Sequence, residues 1–264
     1  MAVNDQLSFL TVTYERDFDL LERLLQSIKL CFDTTYKHYI VLNDSIDHLA
    51  ELEEIVGKFP MQTKIILREK FQDFQLPLVE NCQFGYRFTG PDNGWLTQTM
   101  LTMLSAEKIE TPFYLHLCCK DIFNSAFDIN SIINDGKTVV RNEHFDHGVN
   151  TNQFTEFAVN ACNFFNLDFN QYKHLLIRPA TPVTVNTQQM KNMLIDLKAQ
   201  NVSVIDLIGL NESWRPSQGK TNEYYLYSAW LAKNNYINES LVWHTSKSHN
   251  IYDTIWSYDL RRTN

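Results

Sequence analysis

The sequence predicts an α/β protein in which a mostly parallel central sheet is flanked by helices, with residues 1–264 forming a single domain. Short apolar segments rich in β-branched residues alternate with segments whose apolar residues recur at helical spacing. Strands and helices that alternate at these lengths form βαβ units, in which the strands are parallel. No internal repeat and no Pro/Gly-rich linker divides the chain.

The alternation is most regular in the first half. Leu7–Thr13 has the apolar, β-branched composition of a buried strand, and Asp17 is placed to cap the helix that follows. That helix carries one apolar stripe at Leu21, Leu24, Leu25 and Ile28. The elements expected next are a strand at 38–42 that ends in Asn43 and Asp44, a helix opened by Asp47 that stops near Gly57, and a strand at 64–67.

The pattern continues in the second half and becomes less regular. The elements expected there are a helix at 96–108, a strand at 113–118, a helix at 154–165, an extended stretch at 174–177, a helix around 190–197, a helix at 223–233 and a strand at 241–244. Open parallel sheets bind ligands at the carboxyl ends of their strands, near the point where the strand order reverses. The candidate binding segments are therefore 13–17, 43–44 and 118–121.

Composition excludes several classes of function. A formal net charge of -8 and a pI near 5.5 argue against a nucleic-acid partner, since neutralising phosphates needs a dense Lys/Arg face. No apolar run reaches the roughly 18 residues that predict a membrane span. The N-terminal residues show no secretory signal, and the five scattered cysteines include no Cys-x-x-Cys pair, which favours a cytoplasmic location.

Familiar catalytic motifs are missing. With eight glycines, the chain has neither GxxxxGK[ST] nor GxGxxG, so P-loop phosphoryl transfer and a standard dinucleotide fold are unsupported. It also has no GxSxG and no HExxH, so no motif supports a hydrolase function. A bound phosphate would therefore be held by cations, by amides at strand ends or by a metal.

A set of segments in fixed order carries a resemblance to a known family. The segments are 11–17 at the end of the first strand, 94–98 ahead of 114–117, 181–184 with the helix downstream, and 222–227. In order and spacing they resemble the GT-A glycosyltransferases, specifically a bacterial and phage group of glycosyltransferase-like proteins. The resemblance implies a GT-A-like domain whose residues 1–123 bind the nucleotide and whose residues 124–264 bind the acceptor.

The resemblance further implies a nucleotide-sugar donor held at the strand ends. The residues that would bind it are Thr13, Tyr14, Arg16, Asp17, Asn43, Asp44, Gln98 and Asp121. Tyr14 would stack on the base, while Asp17 or Asp44 would accept hydrogen bonds from the base or the ribose. The residues equally allow simpler roles, with Asp17 or Gln98 as a helix cap, Tyr14 at the edge of the core and Asp44 as a turn residue.

The metal motif of the family is replaced. GT-A enzymes usually carry Asp-x-Asp after this strand, where it holds Mn²⁺ or Mg²⁺ against the donor diphosphate. Here the equivalent positions are Cys118, Cys119 and Lys120, followed by Asp121. Such cations prefer oxygen ligands, which thiols and an ammonium do not offer. No metal site is therefore assigned; Mn²⁺ or Mg²⁺ stays open as a cofactor, with Asp121 and His244 as its candidate ligands.

Lys120 and Glu223 are the catalytic candidates. Without a metal, the Lys120 ammonium would stabilise the charge on the departing nucleoside diphosphate. An inverting transfer also needs a base, and Glu223 lies in the family-like segment near a helix start whose dipole would keep it ionised. Tyr224 and Tyr227 would stack on acceptor sugars. The alternatives are that Glu223 completes a helix cap and that both tyrosines belong to the core.

The predicted function is that of a glycosyltransferase that moves a sugar from a nucleotide-sugar donor to a glycan, lipid-linked or small acceptor, without a metal. The alternative is a catalytically decayed GT-A-like protein that binds carbohydrate or nucleotide without turnover. A nucleotidyltransferase fits less well, because such enzymes need a Gly-rich N-terminal loop and metal-binding aspartates. Retention or inversion at the anomeric carbon stays open.

Overall fold

The computed structural model describes residues 5–32, 36–71, 94–141, 151–177, 181–204, 207, 221–244 and 252–254. Its strands are β1 (Leu7–Thr13), β2 (Lys37–Leu42), β3 (Gln62–Leu67), β4 (Phe113–Leu117), β5 (Asp121–Phe123), β6 (Ile133–Asn134), β7 (Lys137–Arg141), β8 (Val183–Asn186), β9 (Leu241–His244) and β10 (Tyr252–Thr254). Its α-helices are α1 (Phe18–Cys31), α2 (Leu49–Gly57), α3 (Gly94–Leu104), α4 (Thr151–Phe164), α5 (Phe169–Tyr172), α6 (Thr187–Ala199), α7 (Glu223–Lys233) and α8 (Ile237–Ser240).

The central sheet has five strands in the order β3-β2-β1-β4-β8. β1 pairs in parallel with β2 and β4, and β2 pairs in parallel with β3. β8 runs antiparallel to β4 and places Val183 beside His116. Because of this direction, the segment that precedes β8 reaches the same edge of the sheet as the carboxyl end of β4. Two smaller sheets, β6-β7-β9 and β10-β5, flank this arrangement.

Alternate residues of the central strands face two separate cores. Leu7 and Phe9 pack in one core with apolar residues of α1 and α2. Leu10 and Val12 pack in the other core with residues of α3, α4, α6 and α7, which also contains Tyr114 of β4. The period of two follows from the pleat of a strand, and burial on both faces explains why β1 has a nearly continuous apolar sequence.

Three helices end on an asparagine in the left-handed region. Asn166, Asn201 and Asn235 follow α4, α6 and α7, with φ angles of 56°, 56° and 60°. After Asn166, the backbone N–H of Leu167 returns to the carbonyl of Cys162 at 2.9 Å. The other two ends close in the same way, from Val202 to Leu197 at 2.9 Å and from Tyr236 to Leu231 at 2.8 Å. These bonds satisfy carbonyls that a helix end leaves open.

The predicted fold class is confirmed, with differences in detail. The prediction of an extended stretch at 174–177 is partly wrong, because Lys173–Leu175 is a 3₁₀ turn that continues the helical path of α5. Asp17 occupies the N-cap position of α1, yet its side chain makes no capping hydrogen bond because a 3₁₀ turn already precedes the helix. Ser45, rather than Asp47, caps the turn before α2. Among the described residues, no helix is long and apolar enough to cross a membrane.

Candidate functional site at the carboxyl edge of the central sheet

The strand order reverses beside β1. From β1 the chain proceeds to β2 and β3 on one side, whereas β4 lies on the other side. The residues that follow β1 and β4 therefore border the crevice in which α/β proteins of this type bind ligands. These residues are the segments 14–17 and 118–121, which belong to the set predicted from the sequence.

The ends of β1 and β2 are tied together by backbone and carboxylate bonds. The Asn43 backbone N–H donates to the carbonyl of Thr13 at 2.7 Å. Asp44 is 8% exposed, and its two carboxylate oxygens accept the backbone N–H groups of Glu15 at 3.1 Å and Ser45 at 2.8 Å. This arrangement favours the turn role for Asp44, since the carboxylate is directed at protein backbone and fixes the loop that carries Tyr14.

Side chains of the loop after β1 differ in their exposure. Arg16 is exposed and Tyr14 is half-buried. Asp17 is 8% exposed, and its charge contributes to raising the pKa values of the Cys118 and Cys119 thiols across the crevice. The structure therefore brings the loops after β1 and β4 close together, as the sequence predicts.

The loop after β4 is a closed turn. The Cys118 backbone N–H donates to Asp121 Oδ2 at 2.7 Å, while the Asp121 backbone N–H donates to the Cys118 carbonyl at 2.9 Å. Lys120 stands half-buried inside this turn. Desolvation by burial, with the Asp121 charge as a second cause, raises the pKa of Cys118 to about 11, and burial raises that of Cys119 well above its usual range. Both thiols are therefore protonated at neutral pH and unsuited to nucleophilic chemistry.

Glu223 is the first residue of α7, the helix that packs in the same core as α3, α4 and α6, and it is 4% exposed. Burial raises its pKa to about 7, although its own backbone N–H and the Thr99 and Asn222 side chains favour the ionised form. Desolvation therefore outweighs the interactions that favour the ionised form, so the helix start does not hold the pKa of Glu223 at or below its usual value. Asn222 is the N-cap residue, and its side-chain oxygen accepts the backbone N–H of Tyr224 at 2.9 Å.

A chain of buried polar side chains connects α3, β4 and α7. His116 bonds the Tyr224 hydroxyl through Nδ1, and its Nε2 lies 3.3 Å from the Thr102 hydroxyl. Burial lowers the pKa of His116 to about 3, so the ring is neutral at physiological pH. Sequence reasoning missed this network. The available signal was the alternation in β4, where Tyr114 and His116 are the polar members of one face.

The two tyrosines predicted to contact the acceptor are core residues in the structure. Tyr224 is 1% exposed and Tyr227 is fully buried, with the Tyr227 hydroxyl donating to Gln189 Oε1 at 2.9 Å. Stacking on a sugar requires an open ring face, and neither ring has one. The core alternative therefore replaces the acceptor role for both residues. Gln98 is half-buried on α3, and within the described ranges no contact of its side chain assigns it a role.

The described residues around Asp121 do not fit a divalent cation. Asp121 is fully buried and its second oxygen, Oδ1, accepts the Thr181 hydroxyl at 3.3 Å. Across the described ranges, no group of three or more His, Cys, Asp or Glu side chains is arranged to hold a metal. His244 is the last residue of β9, and its side chain lies outside the described part of the structure.

The fold and this edge of the sheet define a GT-A-like α/β protein. Among solved structures, the chain is similar to TarS from S. aureus, with 15% sequence identity and a TM-score of 0.51. The match covers 98% of this chain and 38% of that chain, so this chain spans well under half the length of that protein. The likeness shows the fold and supports the predicted GT-A-like class.

The chain belongs to the family described as a family of unknown function, DUF6492, whose sequence model matches residues 6–258. Two further solved structures are similar at lower scores. S. aureus TarS 1–349 in complex with UDP has 15% identity and a TM-score of 0.47, over 97% of this chain and 62% of that chain. Mouse xyloside xylosyltransferase 1 in its apo form has 9% identity and a TM-score of 0.45, over 91% and 85%. No curated protein matches the chain.

Proposed function

We propose that this chain is a glycosyltransferase that transfers a sugar from a nucleotide-sugar donor to a carbohydrate acceptor. The observation that carries the proposal is the pairing of a GT-A-like fold with polar loops on both sides of the switch point. The loop after β1 presents Tyr14 and Arg16, and the turn after β4 presents Lys120. Fold alone does not define chemistry, so the roles below rest on these side chains.

The donor nucleoside is assigned to the loops after β1 and β2. Tyr14 offers a partly open ring for the base, and the backbone around Thr13 and Asn43 is held rigid by the bond between them. Asp17 lies at the crevice, within range of the thiols after β4. A rigid loop loses little conformational entropy when a ligand binds, which favours its use as a binding surface.

The diphosphate is assigned to Lys120. In the transfer, the bond between the anomeric carbon and the diphosphate oxygen breaks, and the acceptor oxygen bonds to that carbon while its proton passes to a base. Negative charge gathers on the leaving diphosphate, where the Lys120 ammonium stabilises it as a point charge. No step is assigned to a metal, because the described donor groups beside Asp121 do not suit one.

Glu223 is the proposed base for an inverting transfer. A pKa of about 7 suits a general base at neutral pH, since the group is then both available and sufficiently basic. Because the Glu223 residue is only 4% exposed, the residues around it have to move before an acceptor can reach its carboxyl group. The competing role is structural, as a buried side chain bonded by Asn222 at the start of α7.

The test is calorimetric titration of the whole chain with UDP, GDP, CDP and dTDP, first with Mn²⁺ and then with EDTA. Micromolar binding of one nucleotide that survives EDTA supports the proposal, and Lys120→Ala is then expected to weaken it by roughly tenfold or more. Lys198→Ala, at an exposed position on α6, is the matched control and is expected to change nothing. Binding that requires Mn²⁺ would contradict the metal-free assignment.

The second candidate is a GT-A-like protein that binds a nucleotide or carbohydrate without turnover. Two carboxylates at the sheet edge, Asp44 and Asp121, are committed to bonds within the protein, and Glu223 is enclosed in the core. Release of free nucleotide from the bound nucleotide sugar distinguishes the two candidates. Binding with no release, with or without sugar acceptors, would favour this second candidate.

A further inference from the structure

Asp121 is a buried carboxylate whose two oxygens both face protein donors. It is fully buried at the beginning of β5. Oδ2 accepts the backbone N–H of Cys118 at 2.7 Å, and Oδ1 accepts the hydroxyl of Thr181 at 3.3 Å. A hydrogen bond from a backbone amide to a carboxylate is stronger than one between neutral groups, particularly away from water.

These bonds join two segments that meet at the carboxyl edge of the sheet. Cys118 directly follows β4, and Thr181 precedes β8, the antiparallel neighbour of β4. Asp121 also lies opposite Thr254 in the pairing of β5 with β10. The carboxylate therefore connects the turn after β4 to the segment before β8, while the backbone of the same residue belongs to the small sheet β10-β5.

The position of Lys120 depends on this connection. Cys118 and Asp121 bond each other twice, once through the Asp121 carboxylate and once through the Asp121 backbone N–H. Lys120 lies between them, so closure of the turn limits where its Cα and side chain are placed. If the carboxylate bond is lost, the 2.9 Å backbone bond between Asp121 and Cys118 remains, together with a bond from the Lys120 backbone N–H to the Cys118 side chain, and the turn is held more weakly.

We propose that Asp121 is a positioning residue, which clamps the turn after β4 and so aims Lys120 at the switch-point crevice, and that it is not a metal ligand. The inference rests on the proposed function in one respect, which is that the ligand of Lys120 is the diphosphate of a nucleotide sugar. The clamp itself depends only on contacts within the chain, so the two ideas have separate tests.

Asparagine and alanine at position 121 separate a clamp from a metal ligand. In Asp121→Asn, the amide oxygen still accepts the Cys118 N–H, and the amide nitrogen donates to the Thr181 hydroxyl, which has free lone pairs. Asp121→Ala removes both bonds. A metal ligand would lose its function in both variants, because an amide is a far weaker ligand for such a cation than a carboxylate.

The first measurement is hydrogen–deuterium exchange of the Cys118 amide in the whole chain, resolved to single residues. We expect exchange about tenfold faster or more in Asp121→Ala, and a rate close to that of the unchanged protein in Asp121→Asn. Thr181→Val, which removes one bond and disturbs folding less, is expected to give an intermediate increase. Thr138→Val is the matched control at a buried threonine in β7 and is expected to leave the Cys118 amide unaffected.

The second measurement is titration of the same variants with UDP, GDP, CDP and dTDP, in Mn²⁺ and in EDTA. Nucleotide affinity that falls at least about tenfold in Asp121→Ala, and stays within about threefold in Asp121→Asn under both conditions, supports the positioning role. Equal loss in both variants, confined to Mn²⁺, would overturn it in favour of a metal ligand. If the unchanged protein binds none of the four nucleotides, the proposed function fails. The exchange rate of the Cys118 amide then decides the positioning role alone. An unchanged rate in Asp121→Ala overturns that role, and a faster rate supports it.

Discussion

Replacing Glu223 by glutamine tests whether the core of this protein holds a carboxyl group at an energetic cost. Burial is the largest influence on Glu223 and raises its pKa from 4.5 to about 7. Within the described part of the chain, only hydrogen bonds favour its ionised form, with no cation contributing. His116, which bonds the Tyr224 hydroxyl on the same helix, is neutral and so adds no positive charge to this part of the core.

The raised pKa makes stability depend on pH in a defined direction. Between pH 4.5 and about 7 the folded protein holds a proton on Glu223 that the unfolded chain has released. The contribution of this group to the free energy of unfolding is therefore fully present below pH 4.5, falls as the pH rises, and is lost above about 7. The shift corresponds to about 3 kcal/mol, a large part of the stability of an ordinary domain.

Glutamine keeps the shape of the neutral carboxyl and does not ionise, but its amide presents two N–H donors where the carboxyl has one O–H. The pH-independent offset this causes is separate from the titration. We expect the stability of Glu223→Gln relative to the unchanged protein to rise by about 3 kcal/mol between pH 4.5 and pH 8. Urea unfolding followed by tryptophan fluorescence at several pH values measures the difference. His38 and His116, whose pKa values burial lowers to about 3, contribute in the opposite direction, but they do so equally in both proteins.

Glu53→Gln, at an exposed position in the middle of α2, is the control for the change from carboxyl to amide. A difference between Glu223→Gln and the unchanged protein that stays constant from pH 4.5 to 8 would refute the reasoning, because it would mean that the carboxyl titrates normally in the folded state. A loss of transfer activity in Glu223→Gln, together with the expected stability curve, would support the base role as well.

Three further predictions concern single contacts, each read from the midpoint of urea unfolding. Asp44→Asn is expected to lower the free energy of unfolding by about 1–3 kcal/mol, because the amide nitrogen then faces the backbone N–H of Glu15 or Ser45. An unchanged midpoint would contradict these two hydrogen bonds. Thr102→Val is expected to cost about 1 kcal/mol by leaving Nε2 of the buried His116 unpaired, and a stabilised variant would count against that bond. Trp230→Phe removes the 2.8 Å bond from the indole N–H to Asp196 and is expected to lower the free energy of unfolding by about 1–3 kcal/mol, and an unchanged midpoint would contradict that bond.

Local patterns in the sequence predict most of the elements. The stripe that begins at Leu21 specifies α1, and the β-branched run at Leu7–Thr13 specifies β1, because each pattern reflects which side chains enter the core. The position of the candidate site follows from a general property of parallel sheets, so segments 13–17 and 118–121 can be predicted as candidates without knowledge of contacts.

Contacts between distant residues were not predictable in this way. Nothing local in the sequence shows that Thr181 lies beside Asp121, since the contact depends on β8 running antiparallel to β4. The same holds for Glu223, because a carboxylate near a helix start is stabilised in water and destabilised in a core. Burial decides between these outcomes, and burial is a property of the assembled fold.

The asparagines that end α4, α6 and α7 are positions at which the thermal stability of the protein can be increased. Each adopts a left-handed backbone, in which glycine has no steric strain and asparagine has less than the roughly 1–2 kcal/mol of other residues. Asn166→Gly, Asn201→Gly and Asn235→Gly would relieve that strain at three helix ends, offset in part by the greater freedom of glycine in the unfolded chain. Gains at separate sites add, so engineering could raise the melting temperature of this protein while leaving its crevice untouched.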